Sequence, residues 1–525
     1  MNAFAGHLRE LGGVCQRHCE WCLSTVIGVV LAAGATMLLL SGCMVGPDYR
    51  APIMNLPARW GDSDERPRPQ PDAGPEIELA QWWRSFNDPA LNELIEQALV
   101  SNLDEKIALS RIREERAYLV ISRAGLFPTI DLAGSYTRQR YSANTPFGAF
   151  PNIVPREENN YEAGFDASWE LDVFGGIRRG AQAAKAELAA SVENARDVRV
   201  ILLAEVARDY VAARALERRI LIAKANLHDQ RDSLTLTQER FQMGYAPELD
   251  VFQARSLLAG TQSQVPMLEN EQEEAIHRLG VLLGREPEAF KAMLSDLAPI
   301  PGGGDPDAIE IRIPAGLPSD LLRRRPDIRG AEREIAAATA RVGVATADLF
   351  PKFSITGTAG LESISASDFF FATSRMWTVG PSMTWHIFAA GRIRATIAAR
   401  NAQEEQALYN YRKTVLCALA EVEDALVAYG KERTRHEALV TSAHAFKQSA
   451  MLAQHRYEEG YSSYLNVLEA QRSVYTAQDA VAQSDQQLVN DLIAFYKALG
   501  GGWQTAAEPS ATFNQAVPTT TRAGG

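Results

Sequence analysis

Apolar and polar residues alternate along several short stretches of the chain and follow helical periods along several long ones. Between Tyr161 and Asp172, one side carries Tyr161, Ala163, Phe165, Ala167, Trp169 and Leu171. The other side carries Glu162, Gly164, Asp166, Ser168, Glu170 and Asp172, so the period is 2, as in a strand with one wet face. The rhythm returns as Phe353, Ile355, Gly357, Ala359 and Leu361 against Ser354, Thr356, Thr358 and Gly360. It appears again as Trp377, Val379, Met383 and Trp385 against Thr378, Ser382, Thr384 and His386. These patterns predict β-hairpins over 129–172 and 352–386. A strand of about 9–11 tilted residues crosses a bilayer, and Trp and Tyr at strand ends suit an interfacial girdle.

The long stretches predict rods. No proline lies between Gly176 and Gly244, and Gly180 is the only interior glycine; between Gly391 and Gly460 there is again no proline and only Gly430. At about 1.5 Å per residue such helices reach roughly 100 Å. In the second rod Leu408, Val415, Val422 and Tyr429 recur every seventh position, with Tyr411, Ala418 and Ala425 three places on, which is a coiled-coil seam. Each rod reverses at a Gly-Tyr pair and returns over Leu249–Leu283 or Leu465–Leu499. A further helix is expected ahead of each hairpin, over Leu91–Ala124 and Ile328–Asp348, each stopped by a proline just beyond.

The two halves repeat one another. Trp169, Glu205, Arg240, Gly244, Tyr245 and Gly284 recur as Trp385, Glu421, Arg456, Gly460, Tyr461 and Gly500, each 216 positions on. Leu126-Phe127-Pro128 recurs as Leu349-Phe350-Pro351 at an offset of 223, and the difference falls in the longer loop of the first hairpin. Six coincidences at one offset mark a tandem repeat. The expected organisation is a targeting segment over 1–42, an extended segment over 43–88 and a first repeat over 89–287, with its helix pair at 176–284. A Gly- and Pro-rich linker covers 288–318, the second repeat covers 319–503 with its helix pair at 391–500, and a disordered tail covers 504–525.

Composition narrows the class. The chain has 525 residues, with 53 Lys and Arg against 65 Asp and Glu, a formal charge of −12. That balance repels phosphate backbones and argues against a nucleic-acid partner, Arg323-Arg324-Arg325 notwithstanding. A mean hydropathy of −0.18 excludes a polytopic helical membrane protein but not a β-barrel, whose strands are only half apolar. At the amino terminus an apolar run, Val26–Leu40, ends in Leu40-Ser41-Gly42-Cys43, which looks like a bacterial lipobox. Cleavage there leaves Cys43 to carry a covalent lipid, including palmitate, on a signal-peptide-free chain. Arg9 and Arg17 are offset by Glu10 and Glu20, so the true start codon is left open. Cys15, Cys19 and Cys22 have iron–sulfur spacing but precede the cut, which leaves Cys417 as a core residue of a helix. Of the histidines after the cut (His228, His277, His386, His436, His444 and His455) no two have i,i+4 metal spacing, and no nucleophile elbow or phosphate loop stands in a suitable context. No enzyme, metal or cofactor is expected.

Two hairpins supply four strands, too few to close a barrel, and open edges do not sit in lipid, so several chains must share one. Rods far longer than a membrane is thick must project into an aqueous space. The chain resembles the outer-membrane factor family, the TolC-like exit ducts of tripartite efflux and secretion systems, in its lipoprotein OprM/NodT-like branch. The resemblance rests on Cys43-Met44-Val45-Gly46-Pro47-Asp48-Tyr49, Trp82-Trp83 and the run Trp169 to Gly175. Arg325-Pro326-Asp327 with Ala331-Glu332, Leu349-Phe350-Pro351 and the run Tyr464 to Arg472 complete it.

The resemblance implies an α+β membrane protein: a homotrimer whose twelve-stranded outer-membrane β-barrel, four strands per chain, continues into a twelve-helix periplasmic α-barrel. It implies a periplasmic adaptor (membrane fusion) protein and an inner-membrane RND-type transporter as partners, in a Gram-negative bacterium. Met44, not aspartate, follows the cysteine, which fits export to the outer membrane. Carried over from the family, the periplasmic gate falls on Asp250, Tyr457, Asn466 and Glu469. Asn466 departs from the acid often found there, and the choice between an Asp250–Tyr457 lock and an Asn466/Glu469 ring stays open. Arg240, Gly244, Tyr245, Arg456, Gly460 and Tyr461 are the expected adaptor-docking positions. Glu162, Asp166 and Glu170 line the pore if the alternation holds, which favours cations. The expected function is efflux of small molecules, drugs and toxic compounds, hence multidrug resistance. The alternatives are the outer-membrane conduit of type I protein secretion and a lipid-anchored coiled-coil scaffold. Neither the cargo nor the cognate pump can be named from the residues.

Overall fold

The computed structural model describes residues 44–57, 79–144, 157–286, 300 and 318–505. The expectations for the signal segment, Cys43, most of the linker and the tail beyond 505 lie outside the described residues. A short 3-10 turn, Trp82–Phe86, opens the ordered order of elements, so the segment over 43–88 is not extended throughout. Then come α1 (Pro89–Ser101), α2 (Leu103–Ala124), β1 (Thr129–Arg140), β2 (Glu157–Leu171), α3 (Gly176–Gln242) and α4 (Glu248–Leu282). The second half gives α5 (Pro326–Ala347), β3 (Lys352–Ser363), β4 (Arg375–Thr384), α6 (Arg392–Glu458) and α7 (Tyr464–Ala498). Both α3 and α6 have 67 residues, and both α4 and α7 have 35. Their four bounds, Gly176/Arg392, Gln242/Glu458, Glu248/Tyr464 and Leu282/Ala498, all differ by the offset of 216 already seen in the motifs. None of the helices among the described residues is long and apolar enough to cross a membrane.

The chain forms two compact units, and each draws on both halves. The first comprises residues 1–52, 114–189 and 333–409 and holds all four strands. They form one antiparallel sheet in the order β1-β2-β3-β4. Each half closes on itself in the same way. The Trp169 indole N–H donates to the Leu126 carbonyl at 2.9 Å, and Trp385 donates to the Leu349 carbonyl at 3.0 Å, tying each hairpin to the Leu-Phe-Pro turn that precedes it. Asp172 then starts α3 by accepting from the backbone N–H groups of Ile177 and Arg178 at 3.0 and 2.8 Å.

The second unit comprises residues 53–113, 190–332 and 410–525. Its core includes Trp82, Leu91, Leu94, Ile95, Tyr210, Leu279 and Leu283, with Trp82 stacked on Tyr496 at 5.4 Å. The single helix expected over Leu91–Ala124 breaks in two. Asn102 has an extended ψ of 138° and stands between α1 and α2. Its side-chain oxygen accepts from the Glu105 N–H at 2.9 Å while its amide donates to the Leu282 carbonyl at 2.7 Å, so one residue starts α2 and caps the end of α4. Within the seam expected for the second rod, Tyr411, Val415, Ala418, Val422 and Ala425 are buried, while Leu408 and Tyr429 at its two ends are only half-buried. Cys417 is not a core residue; it sits one position off that seam and is exposed.

Candidate functional site

Two features are candidates, one in each unit. In the first unit the register places Tyr161, Phe165, Trp169 and Leu171 on the same face as Ile130, Leu132, Phe353, Ile355, Trp377, Val379 and Met383. Ile130, Leu132, Trp377 and Val379 are each at least 65% exposed, an apolar sheet face that no described residue covers. The opposite face carries Glu162, Asp166 and Glu170, as expected from the alternation. Register adds acids that the single-strand pattern did not reveal: Asp131 lies directly opposite Asp166, and Glu362 directly opposite Glu162. Like charges in such facing positions repel in a sheet, so this face suits water rather than a packed interior. Asn160 donates to Glu362 at 3.0 Å on the same side.

In the second unit the two helix reversals present the residues expected at the gate and the docking tips. Gly244 and Gly460 adopt left-handed φ of +79° and +80° and end the two long helices. The N–H groups of Tyr245 and Tyr461 then reach back to the carbonyls of Arg240 and Arg456 at 2.7 and 2.8 Å. Both tyrosine side chains are 73% exposed, and nothing lies near a Cβ built on Gly244.

The arginines differ, although the sequence places them identically. The Arg240 Nη1 donates to the Glu458 carbonyl at 2.8 Å, at the end of the other rod, and its guanidinium lies 4.8 Å above the Tyr457 ring. Arg456 is exposed and makes no side-chain hydrogen bond or ion pair among the described residues. Tyr457 is 4% exposed and packs edge-on against Tyr464, beside Val467, Leu468 and Ala254. Tyr464, not singled out from the sequence, hydrogen-bonds Ser233 at 3.2 Å. Burial, with the charge of Asp250 adding to it, pushes the Tyr457 hydroxyl above its usual pKa.

The Asp250–Tyr457 hydrogen bond is not formed within the chain; the buried Tyr457 hydroxyl lies near Thr237 and Arg240 but makes no well-aligned hydrogen bond among the described residues. Asp250 makes no side-chain hydrogen bond or ion pair among the described residues, and burial raises its pKa. Asn466 and Glu469 stay apart from this cluster. Asn466 donates to Ser462 at 2.8 Å, closing its own turn, and Glu469 faces Arg472 at 3.8 Å on an exposed helix surface.

The model of the outer membrane efflux protein family matches residues 94–285 and 317–501. The chain belongs to that family. It is 33% identical over 480 residues, 90% of this chain and 97% of the relative, to the solvent efflux pump outer membrane protein SrpC of Pseudomonas putida. It is 30% identical over 480 residues, with 90% and 97% covered, to nodulation protein T of Rhizobium leguminosarum bv. trifolii. Among solved structures, the outer-membrane channel OprN shares 38% identity at a TM-score of 0.78, covering 88% of this chain and 100% of that one. The family is one of outer-membrane channels, not of enzymes. The sheet of this efflux protein carries Trp377 and Val379 on its exposed apolar face.

Proposed function

We propose that three copies of this efflux protein form one exit duct, with four strands from each in a twelve-stranded barrel and their long helices in a twelve-helix periplasmic tunnel. Each copy is organised as the internal tandem repeat laid out above, 89–287 and 319–503, and is anchored by a lipid on Cys43 after removal of residues 1–42. The observation that carries the reading is the two-sided sheet. Among the described residues its apolar side is bare, its acidic side suits water, and β1 and β4 each have only one neighbour. Neighbouring copies supply the missing pairings.

In this reading a periplasmic adaptor docks on the exposed tips, at Arg240, Gly244, Tyr245, Arg456, Gly460 and Tyr461, and an inner-membrane RND-type transporter drives small toxic molecules through. The names of relatives that export solvents or antibiotics support such cargo. The gate lies at the tips. The Tyr457 hydroxyl, without a well-aligned hydrogen bond, and the bare Asp250 carboxylate favour a lock completed between neighbouring chains, with Asn466 and Glu469 as the second candidate ring. Single-channel recording of the purified, acylated protein in a planar bilayer tests this. Small, flickering currents that grow in Asp250→Ala/Tyr457→Phe are expected; no current from a properly assembled trimer would return the scaffold reading.

A further inference from the structure

The first described residues of the chain are held by a buried arginine. Arg179, 3% exposed on the first turn of α3, donates from Nε to the Val45 carbonyl at 3.0 Å and from Nη2 to the Gly46 carbonyl at 3.2 Å. The same guanidinium pairs with Asp48 at 2.9 Å, and only its Nη1, bonded to Gln182 at 3.0 Å, looks elsewhere. The Val45 N–H donates to the Phe174 carbonyl at 3.2 Å, just beyond β2. The fit leaves no slack. Gly46 has φ of +88°, and a Cβ built on it would lie 2.5 Å from the Gly343 Cα on α5; a Cβ on Gly175 would meet Met44 at 2.5 Å. The segment thus crosses α3 from one repeat and α5 from the other. If it left, a buried cation would keep a single acceptor, which is unfavourable.

We propose that Arg179 is a docking site for the first residues of the mature chain. This docking, rather than the acyl chains themselves, sets where the anchored terminus meets the foot of β2. The proposal rests on the reading of Cys43 as the lipidated residue. One peptide unit, about 3.8 Å between Cα atoms, joins that residue to the docked segment, so docking of Met44–Asp48 restricts the reach of a lipid carried on it. Arginine suits the site because its planar guanidinium spreads the donors over Nε and Nη2, whereas a lysine ammonium would have to serve both carbonyls and the carboxylate from a single atom.

The test is amide hydrogen exchange over residues 44–48 in the full-length assembled protein. It compares wild type, Arg179→Ala, Gly46→Val and a Cys43→Ser chain exported on a cleavable secretory signal. Wild type and Cys43→Ser should be equally protected, and the other two should exchange at least about tenfold faster. Gly46→Val keeps Arg179 in place, so the result does not depend on one variant folding. Equal protection in wild type and both clamp variants, or loss of protection in Cys43→Ser, would overturn the proposal. Intact mass of the amino-terminal peptide reads acylation separately: an unmodified Cys43 with a protected segment sinks the lipoprotein reading and leaves the clamp standing.

Discussion

Arg240 lies over the ring of Tyr457 at 4.8 Å and bonds the carbonyl of Glu458 next to it, so the end of the first long helix grips the end of the second. The reciprocal grip does not exist. The position matching Tyr457 in the first half is Phe241, which is 42% exposed, and Arg456 makes no side-chain hydrogen bond or ion pair among the described residues. One repeat therefore holds the other at the tips.

Removing that grip should loosen the tip. Arg240→Ala gives up a cation–π contact and a charged hydrogen bond, together about 1–2 kcal/mol at this exposed site. Arg456→Ala gives up neither. Open probability in planar bilayers is expected to rise for the first variant and stay unchanged for the second; equal effects would show that the asymmetry is idle.

Tyr457→Phe separates two roles of one hydroxyl. In the chain alone that hydroxyl is buried beside Thr237 and Arg240 with no well-aligned hydrogen bond, so its removal should change stability by no more than about 1 kcal/mol. If a neighbouring chain's Asp250 completes the bond, the phenylalanine variant instead leaves a buried carboxylate short of a donor and opens the channel. Melting of the assembled protein, read beside conductance, decides between them.

The reach of sequence reasoning shows at these same places. Rod ends and the matching returns were legible to within one or two residues, since glycines mark the reversals; Pro266 inside α4 did not break that return. The two sheet faces were legible as well, because a period of 2 leaves no choice of side. Asn102 was not: its neighbours Ser101 and Leu103 continue a helical pattern, and the break comes from a carbonyl 180 positions away. Arg240 and Arg456 stand in matched motifs and differ only through what lies across from them. Asp131 and Glu362 joined the acidic face only once register paired them with Asp166 and Glu162.

Stability should depend on pH through Asp197. Burial, then the nearby charge of Asp327, pushes its carboxyl up to about 6, while Arg325 spends its donors on Asp327, Glu421 and the Ala498 carbonyl. The folded pKa is raised above the unfolded one, so the contribution is fully present below about pH 4 and is lost as pH rises through 6. At neutral pH the ionised group is a liability of about 1–3 kcal/mol. Asp197→Asn is expected to melt higher than wild type at pH 7 and to converge with it toward pH 4. A gap independent of pH would rule this out.

The sheet should not tolerate bulk at its tightest point. Gly164 and Gly360 face each other on the acidic side, and a Cβ on Gly360 would lie 2.5 Å from the Ala163 carbonyl oxygen and 2.6 Å from the Gly164 Cα. Gly360→Val is expected to cost about 1–3 kcal/mol and to reduce the yield of heat-resistant assembly on gels. Gly380→Val, where a Cβ meets nothing, is the control and should assemble normally.

Charge selectivity follows from the acids on the wet face. Wild type should prefer cations, and Glu162→Gln/Glu362→Gln should weaken that preference. The reversal potential in a salt gradient reads it directly, and anion preference in wild type would refute the assignment.

Helices of 67 and 35 residues, present twice, carry a consequence for how such a protein can change over generations. A deletion in one long helix shortens it by about 1.5 Å per residue and turns its surface relative to the partner. The Arg240–Glu458 contact then misses its mark unless the other half loses the same residues. Reach is therefore inherited in duplicate, and a lineage that lengthens or shortens it must write the same edit into the gene twice.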